Sequence, residues 1–189
     1  GEVAVSYGET LAAADRLVIK IKGKSAHGAT PHLGVDPIVI AAHAIIAMQT
    51  VISRERDPLD AAVLSFGIIQ GGHQQNVIAD EVMLSGILRT LNPVVREETI
   101  KNIQLVLDGI AASFKTTCEL TRNRSYDSLI NDNQMVDFVR ETVGSLLGES
   151  NVRQLPKPRL IVEDFAYYLQ KKPGAFFFLG CGNNDKGIT

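Results

Sequence analysis

Gly23-Lys24-Ser25-Ala26-His27-Gly28-Ala29-Thr30-Pro31-His32-Leu33-Gly34-Val35-Asp36-Pro37 packs two histidines, three glycines and two prolines between two segments of different periodicity. Before it, residues 16–22 alternate, with Leu17, Ile19 and Ile21 on one side and Lys20 and Lys22 on the other, the period of a half-buried strand. After it, Asp36 suits a helix cap and Pro37 the first helical position. Ile38, Ala41, Ala42, Ile45, Met48 and Ile52 then recur at helical spacing. His27 therefore sits where a strand has ended and a helix has yet to begin. Glycine and proline preset the backbone there, and the small side chains of Ser25, Ala26 and Ala29 let another surface come close. The plain alternative is a solvent-exposed histidine in a connecting loop, and position alone leaves both readings open.

Working outward, residues 54–58 (Arg-Glu-Arg-Asp-Pro) break the helical pattern. Residues 61–69 form an uncharged strand with Leu64, Phe66 and Ile68 on one face and Val63, Ser65 and Gly67 on the other. Gly71-Gly72 ends it. Residues 76–91 read as a longer strand in which Val82, Leu84 and Leu88 share a face. Asn92-Pro93 caps a helix with Ile100, Ile103, Leu107, Ile110 and Phe114 on one stripe, and residues 116–122 close the set as a strand. Strand, helix, strand, strand, helix, strand is the order of a split βαβ, ferredoxin-like unit of the α+β class: a four-stranded antiparallel sheet with two helices on one face. Right-handed crossovers put the first and third strands in the centre and leave 61–69 on an edge. An uncharged edge invites pairing, so this strand and its neighbouring helix are read as the contact of a homodimer; the alternative is an edge covered by residues 125–189. The topology brings the His27 loop and the turn carrying His73 and Asn76 to one end of the sheet. Arg89 falls at the other end.

From Ser125 onward the character changes. A helix is expected at 132–147, a strand at 151–155, a connector at Pro156-Lys157-Pro158 and a short helix at 163–169. The apolar run 175–179 suits a strand buried on both faces of a parallel sheet. This region reads with residues 1–11 as part of a second, incomplete α/β domain, which gives boundaries of 1–11, 12–124 and 125–189. The 189 residues suit one to two domains, and a net charge of -2 with 21% charged residues gives no reason to expect nucleic acid. The apolar runs are too short to span a bilayer, so no membrane role is expected. Cys118 and Cys181 have no close spacing, which argues for free thiols in a reducing, cytoplasmic compartment. The chain opens on Gly1 without a charged-then-apolar leader, so either a leader has been removed or this is a piece of a longer chain.

Histidine makes zinc the first chemistry to test. His27 and His32 are five apart, His43 is most simply a helix-face residue, and no His-Glu-x-x-His occurs. Glu163 and Asp164 are adjacent and would point in different directions on a helix. No complete metal site is expected within this chain. Neither a Gly-x-Ser-x-Gly elbow nor a phosphate loop is present.

Taken together, the blocks resemble a known family. Residues 23–32 with Gly34-Val35-Asp36-Pro37 are similar to the lid-domain signature of the metal-dependent aminoacylase/carboxypeptidase family, in its bacterial N-acyl-amino-acid amidohydrolase and hippurate hydrolase branch. Gly71-Gly72 with Asn76-Val77-Ile78-Ala79-Asp80, then Gly86-Ile87-Leu88-Arg89-Thr90, Glu163-Asp164-Phe165-Ala166-Tyr167-Tyr168 and Pro173-Gly174-Ala175-Phe176-Phe177-Phe178-Leu179-Gly180, resemble later blocks in the same order. The resemblance implies a catalytic domain holding two divalent metals (zinc, manganese or cobalt), interrupted by a ferredoxin-like lid at about 12–124 that forms a homodimer. It implies that His27 reaches the partner subunit's reaction centre and stabilises the oxyanion formed when a metal-bound water attacks an amide. By the same match Asn76 contacts substrate across the dimer and Arg89 holds the substrate carboxylate. Without the resemblance, Asn76 reads as a turn-capping amide and Arg89 as a solvated strand residue. The metal ligands and the glutamate base would lie outside this chain, so it is expected to bind no metal and to be inactive alone. Ala79 stands where proline is usual and His73 where a small polar residue is common. A dipeptidase or N-acetyl-diaminopimelate deacetylase on the same scaffold, and a non-catalytic dimerisation or binding module, are the competing readings.

Overall fold

The computed structural model describes residues 1–182 and 186–187. Its strands are β1 (Val3–Val5), β2 (Gly8–Leu11), β3 (Ala13–Lys22), β4 (Ala62–Gly71), β5 (Glu81–Thr90), β6 (Cys118–Arg124), β7 (Leu129–Asn131), β8 (Val152–Gln154) and β9 (Phe178–Leu179). Its helices are α1 (Pro37–Ser53), α2 (Pro93–Phe114), α3 (Asn133–Leu147) and α4 (Ala166–Leu169). The chain divides into two compact units, residues 14–125 and residues 1–13 with 126–189.

In the 14–125 unit the sheet order is β4-β5-β3-β6, so the first and third strands of the split βαβ are central and β4 is an edge, as the crossover rule requires. Alternation in β3 buries Leu17, Ile19 and Ile21 completely against the helices, joined by Val82, Leu84 and Leu88 of β5. Both helices begin as their sequences dictate. Asp36 accepts from the Ile38 and Val39 amides and Asn92 from those of Val94 and Val95, each followed by proline at the first position. Helix α2 packs Ile103 and Leu107 into the core with Ile100, Ile110 and Phe114 beside them, on the expected stripe.

Two sequence expectations shift here. The buried stripe of α1 is Ile40, Ala41, Ala44, Met48 and Val51, whereas Ile38 is 47% exposed. This helix is apolar almost all round, so its spacing alone left the buried face undefined. Secondly, β4 carries a bulge. Phe66 pairs with Gly86 but Ile68 pairs with Ser85, which leaves Gly67 unopposed. The extra residue moves Ile68 off the face shared by Leu64 and Phe66 and puts Ile69, opposite Leu84, there instead.

Beneath this core a charged cluster is buried. Asp15 and Arg96, each 1% exposed, meet through two bonds of 2.7 and 3.0 Å, and Arg96 also donates to the Ala14 carbonyl at 3.0 Å. Arg122 donates to Asp15 at 2.8 Å and to Glu97 at 2.7 Å. With both charges paired and further hydrogen bonded, the desolvation cost of burying them is offset.

In the other unit β1 lies between β8, parallel to it, and β9, antiparallel to it. A separate antiparallel pair, β2 and β7, was not foreseen. Asn131 takes the place of a strand neighbour: its side chain accepts from the Phe176 amide at 2.8 Å and donates to the carbonyls of Ser6 and Phe176, both at 2.9 Å. The expectation of a doubly buried parallel strand over 175–179 is overturned. Only Phe178 and Leu179 form a strand, antiparallel to β1, and Leu179 is 66% exposed. The aromatic rings pack sideways instead, Phe176 against Phe165 and Phe178, in a small cluster with Leu11, Leu129 and Ala166. The expected short helix is confined to α4.

Candidate functional site

Two loops meet at one end of the 14–125 sheet. The segment following β3 and the segment preceding β5 are laced by backbone bonds: Gly23 N–H to Asp80 O (2.7 Å), Ile78 N–H to Ala26 O (2.9 Å) and Gly28 N–H to Asn76 O (2.7 Å). Glycine is needed at the crossing. A Cβ on Gly28 would lie 3.1 Å from the Asn76 carbonyl oxygen, and one on Gly34 would lie 2.6 Å from the Lys24 oxygen. A 3-10 turn at Pro31–Leu33 then returns the chain to α1. The structure thus brings His27 and Asn76 together, both exposed, as the topology required.

The His27 ring is held by its own loop. The Ala29 amide donates to Nδ1 at 3.1 Å, while the His27 carbonyl accepts from the Thr30 amide at 2.8 Å. A nitrogen that accepts a hydrogen bond carries no proton, so the neutral ring has its N–H at Nε2. His27 therefore presents a hydrogen-bond donor. Beside it runs a cleft of about 510 Å³ whose walls include Gly28, Ile38, Gly72, His73 and Val77. His73 also borders a second cleft of about 780 Å³, with Gln70, Lys22 and Glu81. There the Lys22–Glu81 ion pair holds the Glu81 carboxyl below its ordinary range and the Lys22 ammonium above its own.

Arg89 is elsewhere. It sits one residue from the end of β5, opposite Val63, and its Nη1 is buried without a hydrogen-bond partner among the described residues. Eight strand steps separate it from Glu81, about 27 Å at ~3.4 Å per residue, and Asn76 lies beyond Glu81. One small substrate cannot touch both ends of a single sheet.

The remaining candidates resolve simply. His43 packs its ring against Phe114 at 5.2 Å, a helix-face histidine as read from sequence. Glu163 belongs to the other unit and its Oε1 accepts from the neighbouring Asp164 amide at 3.0 Å. Among the described residues no group of three or more histidine, cysteine, aspartate or glutamate side chains could hold a metal ion. No helix of the described residues is long and apolar enough to cross a membrane. The edge β4 is apolar where it nears the His27 loop: Ile68 and Ile69 are exposed, and Ile38 lies beside Gly72. Missing from the sequence reading was the Ala29 amide, since a backbone donor leaves no signature in residue type.

Residues 13–115 match the peptidase dimerisation domain of the M20 family. The chain is 37% identical over 187 residues to an N-acetyl-L-cysteine deacetylase of Bacillus subtilis, covering 98% of this chain and 44% of that protein. It is 36% identical over 181 residues to an N-acetyldiaminopimelate deacetylase of Bacillus licheniformis, covering 95% and 48%. The chain thus spans about half the length of the curated relatives it matches. Among solved structures it superposes on a candidate aminohydrolase from methicillin-resistant Staphylococcus aureus with a TM-score of 0.88 at 32% identity, over 95% of this chain and 46% of that one. It also superposes on a dinuclear metal-binding M20 peptidase of Bacillus subtilis with a TM-score of 0.73 at 28% identity, over 93% and 42%. By its match over more than half its length, this chain belongs to the M20 peptidase family and contains that family's dimerisation domain.

Proposed function

We propose that this chain is the lid, about 12–124, with the C-terminal part of the catalytic domain, 125–189, of a metal-dependent amidohydrolase that cleaves the amide of N-acyl amino acids. The relatives named for N-acetyl-amino-acid deacetylation support the reaction class, and the dinuclear metal-binding neighbour supports a need for divalent metal ions. The metals are assigned to residues outside this chain. The observation that carries the reading is the His27 loop: an exposed imidazole with Nδ1 occupied and Nε2–H free, laced to Asn76 beside an apolar edge strand. Amide hydrolysis puts negative charge on the carbonyl oxygen, and a preset N–H donor stabilises that charge most where water is excluded. His27 is the oxyanion donor, Asn76 a substrate contact, and Arg89 the group that takes the substrate carboxylate, a task suited to a planar guanidinium. Their separation along β5 supports their serving two reaction centres, as a homodimer through β4 and α1 would provide.

The test is a panel of N-acetyl, N-benzoyl and dipeptide substrates on the full-length protein with zinc or manganese. Hydrolysis of N-acyl amino acids, falling by on the order of 100-fold in His27→Ala, is expected. No hydrolysis of any N-acyl amino acid, or full activity in His27→Ala, overturns the reading. The 189-residue chain alone is expected to be inactive under the same conditions.

A further inference from the structure

We infer that Ala29 is a positioning residue, acting through its backbone N–H to fix the tautomer of His27 and the direction of its remaining donor. The inference rests on the oxyanion role proposed for His27 and deepens it. An imidazole on an exposed loop exchanges between two neutral tautomers, and only the one protonated at Nε2 can donate from that atom. In this loop Nδ1 is taken by the Ala29 amide at 3.1 Å. Donating from Nδ1 would set two N–H groups against each other.

The amide that holds the ring is itself fixed, because the backbone on both sides of His27 is laced in place. The Gly28 N–H reaches the Asn76 oxygen at 2.7 Å, the Thr30 N–H and hydroxyl reach the His27 carbonyl at 2.8 and 3.2 Å, and the Ile78 N–H reaches the Ala26 carbonyl at 2.9 Å. These bonds fix the backbone of the turn and hence the position of the Ala29 amide, while the ring itself is held against rotation about its side-chain torsions by that amide. Gly28 shares the task. With an alanine Cβ 3.1 Å from the Asn76 oxygen and 3.4 Å from its carbonyl carbon, the two loops would have to part by a few tenths of an ångström. A donor that must meet a developing charge tolerates little misplacement. The side chain of residue 29 takes no part; the peptide N–H does.

Ala29→Pro removes that N–H, at the cost of also locking φ at residue 29 and restricting Gly28, and Ala29→Ser keeps it. Both are measured in the full-length metal-loaded protein on an N-acetyl amino acid, beside Gly28→Ala and His27→Ala, with the oligomeric state read by light scattering. The expected outcome is kcat lower by about tenfold or more in Ala29→Pro, KM within about twofold, and Ala29→Ser restoring kcat. The second readout is 15N NMR of protein labelled at the histidine rings, with His27 assigned by its loss in His27→Gln. The unaltered protein should show Nε2 protonated and Nδ1 bare, and Ala29→Pro should show a mixture. A proton on Nδ1 in the unaltered protein, or unchanged kcat in a dimeric Ala29→Pro, overturns the inference. If Ala29→Pro fails to assemble, the ring spectrum of the unaltered protein and kcat of Gly28→Ala decide it. Should His27→Ala itself be fully active, the functional reading fails. An inactive His27→Ala beside a fully active Ala29→Pro sinks only the positioning role.

Discussion

Full-length chains carrying His27→Ala, co-expressed with chains carrying Arg89→Ala, should recover activity that neither variant has alone. The reasoning is metric. Arg89 lies about 27 Å from Glu81 along β5, and the His27 and Asn76 loops lie beyond Glu81. An N-acyl amino acid, about two residues long, spans only about 7 Å when extended. On the roles proposed above, His27 and Arg89 of one protomer serve different reaction centres. In a mixed dimer the centre on one subunit then has both groups intact and its twin has neither. Random pairing makes half the dimers mixed, each with one working centre of two, so about one quarter of unmodified activity per subunit should return in the unsorted mixture and about one half in the isolated mixed dimer. Each variant alone should retain on the order of one hundredth or less. The assay is hydrolysis of an N-acetyl amino acid by differently tagged chains purified through both tags, which isolates the mixed dimer. Activity no greater than the sum of the two single variants would refute the argument, because it would mean that both groups of one protomer act in the same centre.

Three further outcomes follow from the lid itself. Arg96→Met strips the buried Asp15 of its two-bonded partner and should cost on the order of 3 kcal/mol in urea unfolding, held to the lower end because Arg122 still reaches Asp15 at 2.8 Å; a loss under ~1 kcal/mol would contradict it. Hydrogen bonding to Arg122 holds the Glu97 carboxyl below its usual range, so its contribution is present above the unfolded carboxylate value of about 4.3 and is lost as pH falls through the lower folded value. The stability difference between the unaltered protein and Glu97→Gln should shrink in that acid window, and a difference constant from pH 7 to pH 3 would be inconsistent with the pairing. Gly86→Val would set a Cβ 2.4 Å from the Ser65 oxygen and 2.7 Å from the Phe66 ring, so β4 should detach, with loss of about 2 kcal/mol or more and of the dimer in sedimentation; an intact dimer of normal stability would count against the described register.

The lid was legible in the sequence because each of its signals is local. Alternation in β3 and β5, and the Asp36-Pro37 and Asn92-Pro93 caps, each name an element without reference to the rest of the chain. Right-handed crossovers then leave one strand order. What escaped was non-local. The pairing of Asp15 with Arg96 joins residues 81 apart, and Gly67 becomes a bulge only through its register against β5. In the other unit β2 and β7 are short and Asn131 replaces a strand neighbour by a side chain, which no periodicity reports. The apolar run 175–179 misled because aromatic residues signal burial without saying whether sheet or side-chain packing provides it. His27 and Asn76 were placed together by topology, whereas the amide that sets the His27 tautomer belongs to a residue whose own side chain is silent.

The order of the lid sheet also limits how far assembly can go. Joining two sheets through β4 leaves β6 as the outer strand on both flanks, where Glu119, Arg122 and Arg124 break up any apolar run. Charged margins of this kind resist the addition of a further strand. A homodimer through β4, as proposed above, would take up the apolar border of each lid and leave only the charged β6 margins, which offer no second border for growth beyond two copies.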